Sequence, residues 1–103
     1  MIRYPILSIA SRRATLAGSA MGRQMLAQLI AMTVPVPAPS LAYIDFEGVD
    51  IATGSFLREA VLGFRDFSRN AISTLYPVVA NANATIEEEL AVYLTDRHDA
   101  IWA

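Results

Sequence analysis

Chemistry in this chain has to come from hydroxyls and carboxylates, because it has no cysteine and a single histidine, His98. Three groupings hold side chains of that kind. In "IATGSFLRE", Thr53 and Ser55 fall where an amphipathic helix begins, with Arg58 and Glu59 one turn on. Ser55 there can cap the helix by accepting a first-turn N–H. If Thr53 caps instead, the Ser55 hydroxyl points outward, and a phosphate on it would meet free backbone N–H groups, the positive end of the helix dipole and Arg58. In "DFEGVD", Asp45 and Glu47 share a strand face and Asp50 follows in the turn, a spacing open to acid–base or cation chemistry and equally to a solvated turn. In "DRHDA", a Ser-His-Asp triad can be drawn on paper from Ser55, His98 and Asp96 or Asp99, but a lone histidine in a charged tail reads more simply as solvent-exposed. It also lacks any specific metal-ligand pattern. Phosphate-cradling glycine loops and a nucleophile elbow are absent from the sequence. No catalytic, metal or cofactor site is expected, and the chain reads as a non-enzyme.

The remaining polar candidates concern binding. Arg58, Arg65 and Arg69 recur at seven- and four-residue spacing, a stripe on one helix face that would be solvated or meet an acidic partner. Asn81 and Asn83 lie just past a strand end, where binding groups concentrate in open α/β sheets. If that strand and the one before "ATGS" are parallel neighbours, Thr53, Ser55, Asn81 and Asn83 share one edge of the domain.

The elements that must position these groups follow from periodicity. "YPILSIA" (4–10) reads as a first strand, with Pro5 suggesting an edge. Apolar residues in 14–32 recur at helical spacing. Gly18 and Gly22 weaken the first half of that helix, so they either permit close packing or leave it firm only from about Met21. "TVPVPAPS" (33–40) is a stiff connector. "LAYIDF" (41–46) reads as a central strand covered on both faces, and "EGVD" as a turn. From 55 to 75, Leu57, Ala60, Val61, Phe64, Phe67 or Ser68, Ala71, Ile72 and Leu75 form an apolar stripe opposite Arg58, Arg65, Asp66, Arg69 and Asn70. "YPVVANA" is a third strand. Thr85 and Glu88 match a capping box that opens a last helix ending between 95 and 98, and "DAIWA" suits a final short strand. The β-α-β-α-β-α order implies a layered α/β domain with a mixed, mostly parallel sheet of about four strands and helices packed against it.

At 103 residues the chain is long enough for one core, hence a single domain over 1–103. A 54% apolar and 17% charged composition excludes intrinsic disorder. A mean hydropathy of +0.39 is high for so small a domain and points to burial of some surface against a partner, including a second copy. Eight basic and ten acidic residues, net charge −2, leave no nucleic-acid footprint. The apolar runs are too short for a signal peptide or a membrane span, and a cysteine-free chain fits a reducing cytoplasm.

"YIDFEGVDIATGSFLREAVLGF" resembles the core of STAS domains, shared by anti-sigma factor antagonists and the cytoplasmic tails of sulfate transporters, and is most similar to the STAS-like branch of unknown function. That family's pattern is a strand ending in an acid, a small turn, a valine and "D-S-S-G-L" opening a helix. Aligned without gaps, Asp45 matches the acid, Val49 the valine, and Thr53-Gly54-Ser55-Phe56-Leu57 the five-residue motif. Ser55 then falls on the serine that partner kinases phosphorylate in the antagonists, while Thr53, Gly54 and Phe56 depart from the pattern. "S-F-L-x-E", with Glu59, is similar to the STAS-like branch. The resemblance implies a non-enzymatic regulatory module whose partner is an ATPase-type serine kinase of the anti-sigma class. Its face would comprise Asp45, Asp50, Thr53, Gly54, Ser55, Arg58, Glu59, Asn81 and Asn83, with Ser55 as phosphoacceptor. The alternative is an assembly domain that buries its apolar surface in a homo-oligomer.

Overall fold

The computed structural model describes residues 2–96, with side chains through Val92. The expected strand at "DAIWA" and the candidate His98 lie outside the described residues. Two parallel sheets form: β1 (Ile2–Pro5), β3 (Ser40–Asp45) and β5 (Leu75–Ala80) in the order β1-β3-β5, and the two-residue pair β2 (Thr15–Leu16) and β4 (Ile51–Ala52). The domain is thus α/β with parallel pairing, divided as three strands plus two where periodicity suggests one sheet of about four. Within β3, Ala42, Ile44 and Asp45 are buried, as suits the middle strand, but Leu41 is half exposed.

The first strand is shorter than its sequence suggests. Pro5 ends it, and residues Ile6–Ile9 curl into the short helix α1, closed by an Ala10 N–H to Ile6 carbonyl bond of 2.8 Å. Ile6 is buried and Ile9 half-buried. Three residues apart, they reach one side from a helical turn and opposite sides from a strand. Proline's fixed φ suits the position just before a helix. β1 does lie at an edge, as Pro5 suggests.

Helix α2 (Ser19–Met32) buries Gly22, Met25 and Leu29 along one side. The two glycines act differently. Gly18, at φ +89°, stands outside the helix as its N-cap. Gly22 is a contact point, since a Cβ there would lie 2.7 Å from the Phe56 carbonyl oxygen and 2.8 Å from the Glu59 Cβ.

α3 (Gly54–Leu57), a π-helical segment (Arg58–Leu62) and α4 (Gly63–Ala71) run on from one another with helical backbone angles at each junction. The π segment has wider turns than an α-helix, so it rotates everything after it relative to a uniform 3.6-residue period. That rotation corrects two expectations. Arg65, placed on the solvated stripe by spacing, is buried with its guanidinium on Asp66 (2.9 Å). Ala71, placed in the apolar stripe, is exposed. Leu62 is buried as well, Ser68 is buried and Phe67 half-buried of the two alternatives at that point of the stripe, and Phe64 meets Tyr4 edge-on at 5.3 Å.

Helix α5 (Ala84–Asp96) opens two residues earlier than the Thr85 capping box implies. Asn83 is the cap: its Oδ1 accepts the Ile86 N–H at 2.9 Å. Asparagine serves there at least as well as threonine, and the start it selects buries Ile86 and Leu90, four residues apart.

Candidate functional site

The two-residue pair of β2 and β4 positions the Ser55 region. Because these strands are parallel and in register, the turns that follow them lie side by side, and α2 and α3 begin next to each other. Thr53 joins the two turns. Its N–H donates to the Leu16 carbonyl at 2.9 Å, and its Oγ1 accepts the Gly18 N–H at 3.0 Å and the Phe56 N–H at 3.4 Å. Thr53 is therefore the N-cap of α3, and Ser55 sits inside the first turn.

A hydroxyl has two acceptor lone pairs and one proton. Two N–H groups occupy the Thr53 lone pairs, so its proton goes to the Ser55 Oγ, 3.3 Å away. Ser55 is then an acceptor in that bond and its own proton is not consumed by it. Ser55 as a residue is half-buried. One turn on, Arg58 Nη2 donates to the Ser19 Oγ at 3.3 Å and pairs with Glu59 Oε1 at 3.5 Å, with 46% of the Arg58 side chain exposed. Ser19 opens α2, so this arginine spans both helices.

Asp45 is built differently. It is 3% exposed at the end of β3, where Oδ2 accepts the Arg3 Nε–H at 2.6 Å and Oδ1 accepts the Asn81 amide at 2.9 Å and the Glu47 N–H at 3.0 Å. Burial acts to raise its pKa, but the bonds from Asn81 and Glu47 and the Arg3 guanidinium together outweigh it and hold the carboxyl below its ordinary value. A buried, fully engaged carboxylate does not present itself to a partner, so Asp45 leaves the expected binding face and becomes a lock between β1, β3 and the turn after β5. Asn81, one of the three donors in that lock, takes a left-handed φ of +56°.

The expected sharing of an edge by Thr53, Ser55, Asn81 and Asn83 is met in part. β3 and β5 are parallel neighbours, but "ATGS" follows β4 in the other sheet. Asn83 reaches the loop before β4, donating to the Asp50 carbonyl at 2.8 Å and the Val49 carbonyl at 3.3 Å, while its Oδ1 caps α5. Asp50 itself is exposed. The structure thus gathers Thr53, Gly54, Ser55, Arg58 and Glu59 into one corner and assigns Asp45, Asn81 and Asn83 to holding neighbouring turns. Gly18 and Ser19 join that corner and Arg3 joins the lock. Spacing gave no sign of any of them, since each acts on a residue more than thirty positions away. Among the described residues there is no cluster of three or more histidine, aspartate or glutamate side chains able to hold a metal ion, and no helix is long and apolar enough to cross a membrane.

Compared with protein-family models, curated proteins and solved structures, the chain gives no match.

Proposed function

We propose that this chain is a cytoplasmic, non-enzymatic regulatory module with a STAS-like fold, which docks a protein partner through the corner where α2 and α3 begin and is switched by phosphorylation of Ser55. The observation that supports it best is the division of labour between the two hydroxyls: Thr53 caps the helix, and Ser55, half-buried beside it, has no capping duty. A phosphate on Ser55 adds a charge of about −1.5 to −2 at a helix start beside Arg58, a change large enough to alter docking on a nearly neutral protein. The partner this fits is an ATPase-type serine kinase or anti-sigma-like protein, with the chain as substrate, and no nucleic acid takes part. Co-expression with such a kinase, followed by phosphate-sensitive electrophoresis of wild type and Ser55→Ala, tests the proposal. Unaltered partner affinity in both Ser55→Ala and Ser55→Asp would remove it.

A second reading, an assembly domain that forms a homo-oligomer without a phosphoswitch, draws on the outer sheet face. Leu41 and Tyr76 are neighbours in register and are 48% and 47% exposed, although parallel sheets are ordinarily covered on both faces. Light scattering over a concentration series separates the two: an oligomer that persists on dilution and is broken by Leu41→Glu supports assembly, whereas a monomer removes it.

A further inference from the structure

The Ser55 phosphate of the proposed switch leaves open what happens next, and the Arg58 side chain supplies an answer that rests on that reading. Arg58 is held by two long contacts, 3.3 Å to the Ser19 hydroxyl and 3.5 Å to the Glu59 carboxylate on the adjacent residue. Both lie at the weak end of hydrogen-bond geometry, and almost half of the side chain is in solvent, so little holds it in place. Arg58 follows Ser55 by three residues, at the junction where α3 passes into the π segment with helical backbone angles, near the spacing at which side chains on a helix surface meet. A phosphate dianion is a far better acceptor for a guanidinium than a neutral hydroxyl.

We infer that Arg58 is the moving part of the switch: on phosphorylation of Ser55 it leaves Ser19 and Glu59 and clamps the phosphate. In the modification itself, a bond forms between the Ser55 Oγ and the γ-phosphorus of a nucleoside triphosphate held by the kinase. The bond to the diphosphate leaving group breaks, and the hydroxyl proton passes to a base of the kinase. The rearrangement that follows is non-covalent. It removes the Arg58–Ser19 bridge between the long helix and α2, leaves the Thr53–Gly18 bond and the close packing at Gly22 in place, and frees the Glu59 carboxylate and the Ser19 hydroxyl for a partner to read. The two forms of the corner then differ in which side chains are exposed as well as in charge.

The test uses full-length protein with phosphoserine installed at position 55 during translation, so it does not depend on finding the kinase. Phosphorus NMR titration reads the second ionisation of the phosphate, near pH 6 when unpaired. Pairing with Arg58 lowers it by roughly half a unit relative to the same phosphoprotein carrying Arg58→Gln, a substitution on a half-exposed side chain that leaves the core untouched. Glu59 opposes the shift equally in both proteins, so the difference reports Arg58 alone. Ser19→Ala, which removes a competitor for the guanidinium, keeps or enlarges the shift. Equal pKa values with and without Arg58, or a shift abolished by Ser19→Ala, would overturn the inference. Absence of phosphate after co-expression would instead count against the proposed function and leave this titration to decide the clamp on its own.

Discussion

Asp45 ends β3 and Ser55 lies just past the end of β4, so both are polar groups where a strand gives way to the next turn, yet their surroundings differ in every respect that matters energetically. The Asp45 carboxylate is buried, charged and held by three donors from three segments at 2.6–3.0 Å. The Ser55 hydroxyl is neutral, half-buried and bonded at 3.3 Å to the threonine that has taken over its capping task. Short bonds to a buried charge are costly to break and therefore structural. Long bonds to a neutral, half-buried hydroxyl can be exchanged for others at lower cost. On residue type alone the aspartate looks the more chemical of the two, and the geometry reverses that order.

Substitutions at four positions test the contrast, in order of expected effect. Asp45→Ala strips the acceptor from the Asn81 amide and the Glu47 N–H and leaves Arg3 without its carboxylate, and should cost about 3 kcal/mol in denaturant unfolding. The same group gives the protein an acid dependence. Its folded pKa lies below the ordinary 3.8, so the stability it contributes is fully present above the unfolded value and is lost as pH falls through the folded one. Wild type should therefore lose stability below about pH 4 along a limb that Asp45→Asn lacks. Gly22→Ala sets a methyl 2.7 Å from the Phe56 carbonyl oxygen, a backbone atom that cannot turn aside. The overpacking exceeds the better helix propensity of alanine and should lower stability by about 1–2 kcal/mol, read as a fall in thermal midpoint. Thr53→Ala removes the cap of α3 and the acceptor of the Gly18 N–H, for about 1–2 kcal/mol, and Thr53→Ser restores most of it. Ser55→Ala should stay within about 0.5 kcal/mol of wild type. A Ser55→Ala loss as large as that of Thr53→Ala would mean that the two hydroxyls share the capping and that the contrast with Asp45 is overdrawn.

Much of this arrangement is legible in the residues. The strand 41–46, the helix opening near Ser55, the edge position of the first strand and the narrowing of the cap to Thr53 or Ser55 follow from patterns a few residues wide, while the decision for Thr53 needs the structure. The parts that are not legible depend on the partner of a segment. "ILSI" is β-branched enough for a strand, but burying Ile6 and Ile9 together requires a helical turn. β2 and β4 have two residues each and carry no periodicity; they exist because the Ala14 carbonyl receives the Asp50 and Ile51 N–H groups. The π segment preserves an apolar composition while shifting its phase, and so Arg65 goes inward although its spacing looks solvated. The candidate corner was half visible for the same reason: Thr53, Ser55, Arg58 and Glu59 are neighbours in the chain, but Gly18 and Ser19 reach them only through the β2–β4 pairing.

In the proposed switch, Ser55 is the exchangeable group of its corner, Thr53 holds that corner in shape, and Asp45 fixes a separate set of turns. Mass spectrometry of wild type and Ser55→Ala after co-production with an ATPase-type serine kinase, alongside their unfolding curves, tests it directly. One phosphate on wild type, located at Ser55, none on Ser55→Ala, and superimposable unfolding curves for the unmodified proteins are the expected results. Phosphate at another residue, or none in wild type together with clear destabilisation of Ser55→Ala, would contradict it and make Ser55 one more structural hydroxyl.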